Sequence, residues 1–206
     1  TYTTGTPECD TELLFSRSEE LLADVKKRHP KILVEQMITS HDSFRSIYLN
    51  SNSVCYEPTG GAYNFSLMYS GHEGEKSTSF YSSDVTLAKL DKPVIDCALI
   101  DRELGEIEKQ LDPEPLEGKF TGTVLLAPAA LAEIVLGTVF GNFVSDSSLI
   151  EGTSIWKDKL GEKVADERLT ITIKAGGEDV VINSHVTGEG YPAEDFDLIR
   201  DGKLVS

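Results

Sequence analysis

Two short stretches of the sequence combine residue types able to do chemistry. His72-Glu73-Gly74-Glu75 sets an imidazole beside two carboxylates, and His41-Asp42-Ser43 holds the residue types of a hydrolytic triad. A zinc site of the HExxH kind needs two histidines one helical turn apart, projecting from one face with a glutamate between them. The stretch at His72 lacks the second histidine and places Gly74 at a turn, so it reads as a solvated turn. A triad is made by the fold and not by adjacency, so His41-Asp42-Ser43 reads as a turn with a local hydrogen bond. No serine lies in a G-x-S-x-G context. Gly188-Glu189-Gly190 and Gly176-Gly177 lack the spacing of phosphate-binding loops, and Gly176-Gly177 reads as a hairpin turn. The acids of residues 189–201 lack the alternating oxygen spacing of a calcium loop and read as an exposed acidic loop. Catalytic, cofactor-binding and metal-binding residues are therefore all expected to be none.

The elements that would position any site are legible in the hydrophobic periodicity. Ser16-Arg17-Ser18-Glu19 fits a capping box, Leu21, Leu22 and Val25 form one stripe, and Lys26, Lys27 and Arg28 suit a helix C-terminus ahead of Pro30. From residue 31 to 85 the period shortens to two. Val34, Gln36 and Ile38 alternate with Leu33, Glu35 and Met37; a turn is expected at His41-Asp42 and another at Asn50-Ser51-Asn52. Pro58-Thr59-Gly60-Gly61 reads as a further turn. Tyr63, Phe65, Leu67 and Tyr69 should share one face of a strand, with Asn64, Ser66, Met68 and Ser70 on the other. After a polar turn over residues 71–76, a strand should run from 77 to 85. Such a run is an antiparallel meander with one apolar face, and a helix should cover it. A helix is expected over residues 96–111, with Ala98, Leu99, Leu104, Ile107 and Leu111 on its apolar face. Asp112-Pro113-Glu114-Pro115 then breaks the chain into a first region of residues 1–111 and a second of 112–206.

The second region should open with a strand over 122–126 and an apolar helix over 128–136, with Pro128 in its first turn. A polar loop is expected over 137–153 and a helical or extended piece over 155–160. Strands should follow at 169–173 and, as its partner, 180–182, then a loop over 188–192 and a turn at Asp201-Gly202. The fold class is α+β: a helix-flanked antiparallel meander followed by a second, mixed α/β segment rich in strands.

Composition limits function. The 206 residues carry 35 acids against 19 Lys and Arg, a net charge of -16, and both regions are acidic, with 18 acids and 11 bases over residues 1–111. No basic patch is available to neutralise phosphates, which argues against nucleic acid as a direct ligand. Cys9, Cys55 and Cys97 are odd in number and form no CxxC pair, so neither a disulfide framework nor a structural zinc is expected and a reducing compartment fits. The longest apolar stretch, over 124–137, is too short to span a bilayer. The chain opens at Thr1 without a signal-like segment, so it is read as an internal or trimmed piece.

Residues 115–206 carry a further pattern. It runs through Gly122-Thr123-Val124-Leu125-Leu126, an apolar helix, Gly152-Thr153-Ser154, Lys159-Leu160-Gly161-Glu162-Lys163-Val164 and Leu169-Thr170-Ile171. It ends in Glu189-Gly190-Tyr191-Pro192 and Leu198-Ile199-Arg200-Asp201-Gly202-Lys203-Leu204. In order and spacing these pieces resemble the C-terminal half of the TldD/PmbA family, formerly described as modulators of DNA gyrase. Residues 1–111 fit that family's middle region by order of elements, and the family's later C-terminal region lies outside this sequence. The resemblance implies a zinc-dependent peptidase system whose HExxxH helix follows the apolar strand. Here Ala127 and Ala132 stand where the metal-binding histidines would be, and Pro128 where the general-base glutamate would be. A methyl group has no lone pair for zinc, and proline cannot accept a proton.

The chain is thus more similar to the PmbA branch, also called TldE, and no cofactor is expected. The implied role is that of a non-catalytic, cytoplasmic subunit supporting proteolysis of small or unfolded peptides, as in peptide maturation. Its expected partner is a TldD-like HExxxH paralogue or further copies of itself, with no nucleic acid and no membrane involved. A free-standing peptide- or protein-binding module is the alternative, and a hydrolase with an unrelated site is a third. Elemental analysis of the dialysed chain should give far less than one zinc per molecule. A stoichiometric zinc lost on substituting His72 or His185 would overturn this reading.

Overall fold

The computed structural model describes residues 1–206 apart from 116, 117, 120 and 179, with residues 135, 140, 141 and 146 described by their backbone alone. The chain divides into two units. The first comprises residues 1–115 together with 176–193, and the second residues 116–175 together with 194–206. The return of 176–193 to the first unit differs from a single division after residue 111.

In the first unit, helix α1 spans Thr11–Arg28. It begins five residues before the expected capping box, because Asp10 is the better-placed cap: its Oδ1 accepts the Leu13 N–H at 2.9 Å. Ser16 and Glu19 lie inside the helix. Ser18, Leu21 and Val25 face inward, while Leu22 is exposed. Lys26, Lys27 and Arg28 fill the last turn, and the His29 N–H closes it on Val25 O.

Five named strands build the main sheet: β1 (Tyr2–Gly5), β2 (Ile32–Arg45), β5 (Pro58–Glu73), β6 (Lys76–Ser77) and β7 (Tyr81–Leu87). A small hairpin, β3 (Tyr48–Leu49) with β4 (Cys55–Tyr56), turns through Asn50, whose Oδ1 accepts the N–H groups of Asn52 and Val54. The long central strand β5 pairs antiparallel with β2, β6 and β7 and parallel with β1. The meander is thus present with an added parallel strand.

Two expected turns are strand instead. His41 and Asp42 lie within β2, opposite Tyr63 and Ala62, and residues 58–61 form the first part of β5. Glycine serves close approach there. A Cβ on Gly60 would stand 2.5 Å from the Phe44 ring, and one on Gly61 would collide with Thr6 O. The alternation in β2 is also broken by a register shift between Val34 and Gln36. This bulge lets Val34 and Met37, three residues apart, both pack on the core, and leaves Ile38 exposed.

On β5, Tyr63, Phe65, Leu67 and Tyr69 are buried on one face, as their spacing requires, while Met68 on the other face is exposed. Their cover is α1 and helix α2 (Ile100–Lys109), which follows a single 3₁₀ turn at Val94–Asp96. The expected helix over 96–111 is therefore shorter. Ala98 sits in the left-handed region at φ 50°, which interrupts the helical path, and Ala98 and Leu99 face solvent. Ile100, Leu104, Ile107 and Leu111 supply the buried face. Residues 176–193 contribute a loop: the Asn183 N–H donates to Thr4 Oγ1 at 2.6 Å and the Gly177 N–H to Asn183 Oδ1 at 3.0 Å. Residues 180–182 are not a strand, so Gly176-Gly177 is no hairpin turn.

The second unit departs further from its periodicity. Residues 122–126 pair with no strand among the described residues, and Val124 and Leu125 are exposed. A helical run follows: α3 (Pro128–Leu131), a wider turn over Ala132–Leu136 in which the Gly137 N–H reaches back five residues to Ala132 O, then α4 (Gly137–Asn142). Helix α5 (Asp146–Ile150) starts at Ser145, whose hydroxyl accepts the Ser148 N–H. The polar stretch expected as a loop over 137–153 is thus largely helical, because Ser145 supplies a cap that restarts the helix. The sheet is β8 (Ile171–Ile173), β9 (Phe196–Arg200) and β10 (Lys203–Leu204), antiparallel in the order β10-β9-β8. The partner of β8 is thus β9, not residues 180–182. Asp201 (φ 49°) and Gly202 (φ 75°) make the two-residue turn between β9 and β10. Ile171, Leu198, Ile199 and Leu204 form the core, with Trp156, Val164 and Leu169 packed against it.

Phe65→Ala should cost about 3–5 kcal/mol of stability, since it empties the centre of the aromatic row. Urea denaturation measures this, and a loss under about 1 kcal/mol would mean that the row is not the core.

Candidate functional site

The start of α3 is where the family resemblance would place metal chemistry. Ala127 is the N-cap, with extended backbone (φ -64°, ψ 154°), and its carbonyl accepts the Leu131 N–H at 2.9 Å. Pro128 occupies the first turn, where its missing N–H leaves nothing unpaired. Ala132 lies one helical turn beyond Pro128, and the wider turn begins at that residue. Turns of this kind recur at functional sites in other helices. The helix start is formed, and Ala127, Pro128 and Ala132 offer no nitrogen, sulfur or oxygen side-chain donor. These residues do not fit zinc. The helical spacing of Leu131, Ile134 and Val135 predicts that they pack into a core; the Val135 side chain lies outside the described residues. Leu131 is instead 45% exposed and Ile134 58% exposed. The core of the second unit forms on its sheet, so the helix lacks the neighbouring strand that would have buried this face.

The other constellations are separated or already occupied. Neighbouring strand residues project to opposite faces, so His41 and Asp42 part company. His41 stacks near Tyr63, with ring centroids 4.7 Å apart, and its Nε2–H donates to Thr6 O at 2.7 Å; Asp42 accepts from Asn64 Nδ2 at 2.7 Å. His72 lies 2.9 Å from Ser70 Oγ on exposed strand, and Glu73 pairs with Lys31 at 2.7 Å. His185 packs against the Tyr2 ring. Asp195 accepts the Ala175 N–H, and Asp197 accepts from Thr172 and Arg200, which hold its carboxyl below the usual range. Arg168 holds Asp166 down at about 2 through a direct hydrogen bond. Cys97 is buried and its thiol is pushed up by that burial, which makes it a poor nucleophile. Among the described residues, no three His, Cys, Asp or Glu side chains are placed to hold a metal ion.

The sequence did not reveal one cluster of His and carboxylates: His29 with Asp101 and Glu108. His29 lies more than 70 residues from the two acids along the chain, and the available signal was only the spacing of those acids along one helix face.

Residues 118–206 match the family described as the PmbA/TldA metallopeptidase C-terminal domain. No curated protein matches the sequence. Among solved structures, TldE from Thermococcus kodakarensis is similar over 97% of this chain and 44% of its own, at 16% identity and a TM-score of 0.72. A protein from Thermotoga maritima described as a modulator of a DNA gyrase is similar over 96% of this chain and 45% of its own, at 14% identity and a TM-score of 0.72. One from Bacteroides thetaiotaomicron with the same description covers 95% and 43%, at 17% identity and a TM-score of 0.60. At these identities the likeness is one of fold, and the chain spans less than half the length of each.

Leu131→Asp should change stability by less than about 1 kcal/mol, because the side chain already meets solvent. A loss of several kcal/mol in chemical denaturation would show that this helix face is buried.

Proposed function

Because this chain belongs to the TldD/PmbA family, related to metallopeptidases, we propose that it is a PmbA/TldE-like, non-catalytic member of a peptidase pair that handles small or unfolded peptides. The observation that carries this reading is the start of α3. It stands where the family resemblance places the zinc motif, at the head of an apolar helical run, yet has Ala127, Pro128 and Ala132 where two histidines and a glutamate would be needed. The zinc, and the base that activates water, would come from a TldD-like HExxxH paralogue. This subunit would shape the space in which the peptide lies.

A cytoplasmic site of action fits the three unpaired thiols, Cys9, Cys55 and Cys97. Among the described residues, no helix is long and apolar enough to cross a membrane. The acidic balance of -16 disfavours direct DNA contact despite the gyrase-modulator description of the fold relatives.

Co-purification of the full-length protein with a tagged HExxxH paralogue, followed by zinc analysis and digestion of an unstructured peptide, tests the proposal. The expected result is a stable complex in which zinc and cleavage both depend on the paralogue's motif. Peptide binding by this protein alone, with no association to any such paralogue, would favour a free-standing binding module. Restoring histidine at 127 and 132 and glutamate at 128 should not create cleavage in this chain alone, because a working zinc also needs a further ligand and supporting hydrogen bonds.

A further inference from the structure

Strand β2 leaves one edge of the main sheet open. It pairs with β5 from Ile32 to Arg45, and among the described residues no strand pairs with its other side. No other described stretch of backbone hydrogen-bonds to residues 33–45. A row of unpaired N–H and C=O groups is a template for a further strand, and proteins commonly blunt such an edge with proline or by keeping it short. β2 is 14 residues long and holds no proline, and its one bulge stands near its start.

Helix α1 gives this edge a rim. Ser18 Oγ lies 3.3 Å from Thr39 Oγ1 of β2, while Arg17 Nε, on the opposite flank, donates to Leu90 O. Ser18 therefore marks the flank of α1 nearer the open edge. Further round the helix on that side come Glu12, Phe15, Glu19, Leu22 and Lys26, spaced three and four residues apart in one stripe. All five are exposed, Phe15 at 64%. On the outer face of the sheet Ile38, next to Thr39, is 56% exposed. Apolar side chains thus stand on both sides of the unpaired backbone.

The stripe is antisymmetric in charge about its middle. Glu12 and Lys26 end it, Phe15 and Leu22 lie between them, and Glu19 sits at the centre beside Ser18. The ion pairs of α1 involve Arg17, Glu20 and Arg28, which leaves Glu12 and Lys26 free among the described residues. Turned about a two-fold axis through the centre, Glu12 meets Lys26 of the second copy and Phe15 meets Leu22. The contact of Ser18 with Thr39 puts the same axis at the middle of β2. These two centres need not coincide, and here they do. α1 packs on both β2 and β5, so in a sheet continued across the axis the two copies of α1 stand about two strand spacings apart, roughly 10 Å, the distance at which helices pack.

We propose that a second copy of this chain docks here, with β2 antiparallel to β2 around Ile38 and α1 against α1, so that one sheet runs through both copies. Such a pairing uses the same patch twice and closes at two copies. It rests on α1 and β2 alone and does not depend on the peptidase reading. An extended peptide would satisfy the backbone of β2 but would not match the opposite charges at the two ends of the stripe.

Sedimentation equilibrium of the full-length protein without any paralogue tests the interface, at about 0.15 M salt so that the net repulsion of two acidic copies is screened. A dimer at micromolar concentration is expected. Glu12→Lys should raise its dissociation constant about tenfold, and Glu12→Lys combined with Lys26→Glu should restore it. The two residues stand about 21 Å apart along one helix, so the rescue cannot arise within a copy. Glu19→Gln should tighten the dimer, because it removes like charges that meet at the axis. A dimer indifferent to Glu12→Lys, one not rescued by the exchange of charges, or one loosened by Glu19→Gln would refute the interface. A monomer at every concentration would overturn it too, and hydrogen exchange along β2 would then tell whether another segment or an added unstructured peptide takes the edge.

Discussion

Strand β5 must keep one face dry along four large residues, Tyr63, Phe65, Leu67 and Tyr69, and the rest of the first unit is arranged around that requirement. Burying each such side chain contributes roughly 1.5–3 kcal/mol. The two tyrosines add a condition, since a hydroxyl taken out of water needs a partner. Tyr63 O accepts the N–H of Asp10, the residue that caps α1, and Tyr69 bonds to Ser83, which in turn donates to Glu103 of α2. The phenolic proton of Tyr69 is held more tightly than usual, chiefly because of this burial. The same side chains that fill the core thereby fix where the covering helices sit.

The second unit is built on a smaller economy. Its core is a three-stranded sheet whose buried residues, Ile171, Leu198, Ile199 and Leu204, are few. Its apolar helical surface, including Leu131 and Ile134, remains at the surface. This is the segment that matches the PmbA/TldA C-terminal domain. Its helix start at Pro128 is structured without any side-chain donor group. Backbone capping by Ala127 O and the tolerance of proline in a first turn need no histidine.

Among the described residues, the acidic side chains do not gather into a metal-binding group. The carboxylates are spent locally: Asp10 on a helix cap, Asp166 on Arg168, Asp197 on Thr172 and Arg200, Glu73 on Lys31. Most of these pairs are exposed and contribute little to stability. The cluster at His29 differs because its imidazole is buried and its two acids come from another helix.

The sequence by itself determined what depends on local period and residue chemistry. It determined the alternation in β5, the basic last turn and stop of α1, the Asp201-Gly202 turn, and the absence of zinc donors at residues 127, 128 and 132. The tertiary structure decided what depends on a distant neighbour. Gly60 and Gly61 carry turn chemistry, yet they are strand, because Phe44 and Thr6 come close enough to exclude a Cβ. The bulge beyond Val34 is invisible to a strict two-residue period, since only the register with β5 shows where a residue is passed over. Residues 122–126 and 180–182 are apolar enough for strands, but strand pairing is made with a distant segment, and β8 takes its partner from residues 196–200. The burial of His29 between Asp101 and Glu108 follows the same rule: a side chain's chemistry is set by the groups the fold brings to it, and these lie more than 70 residues away along the chain.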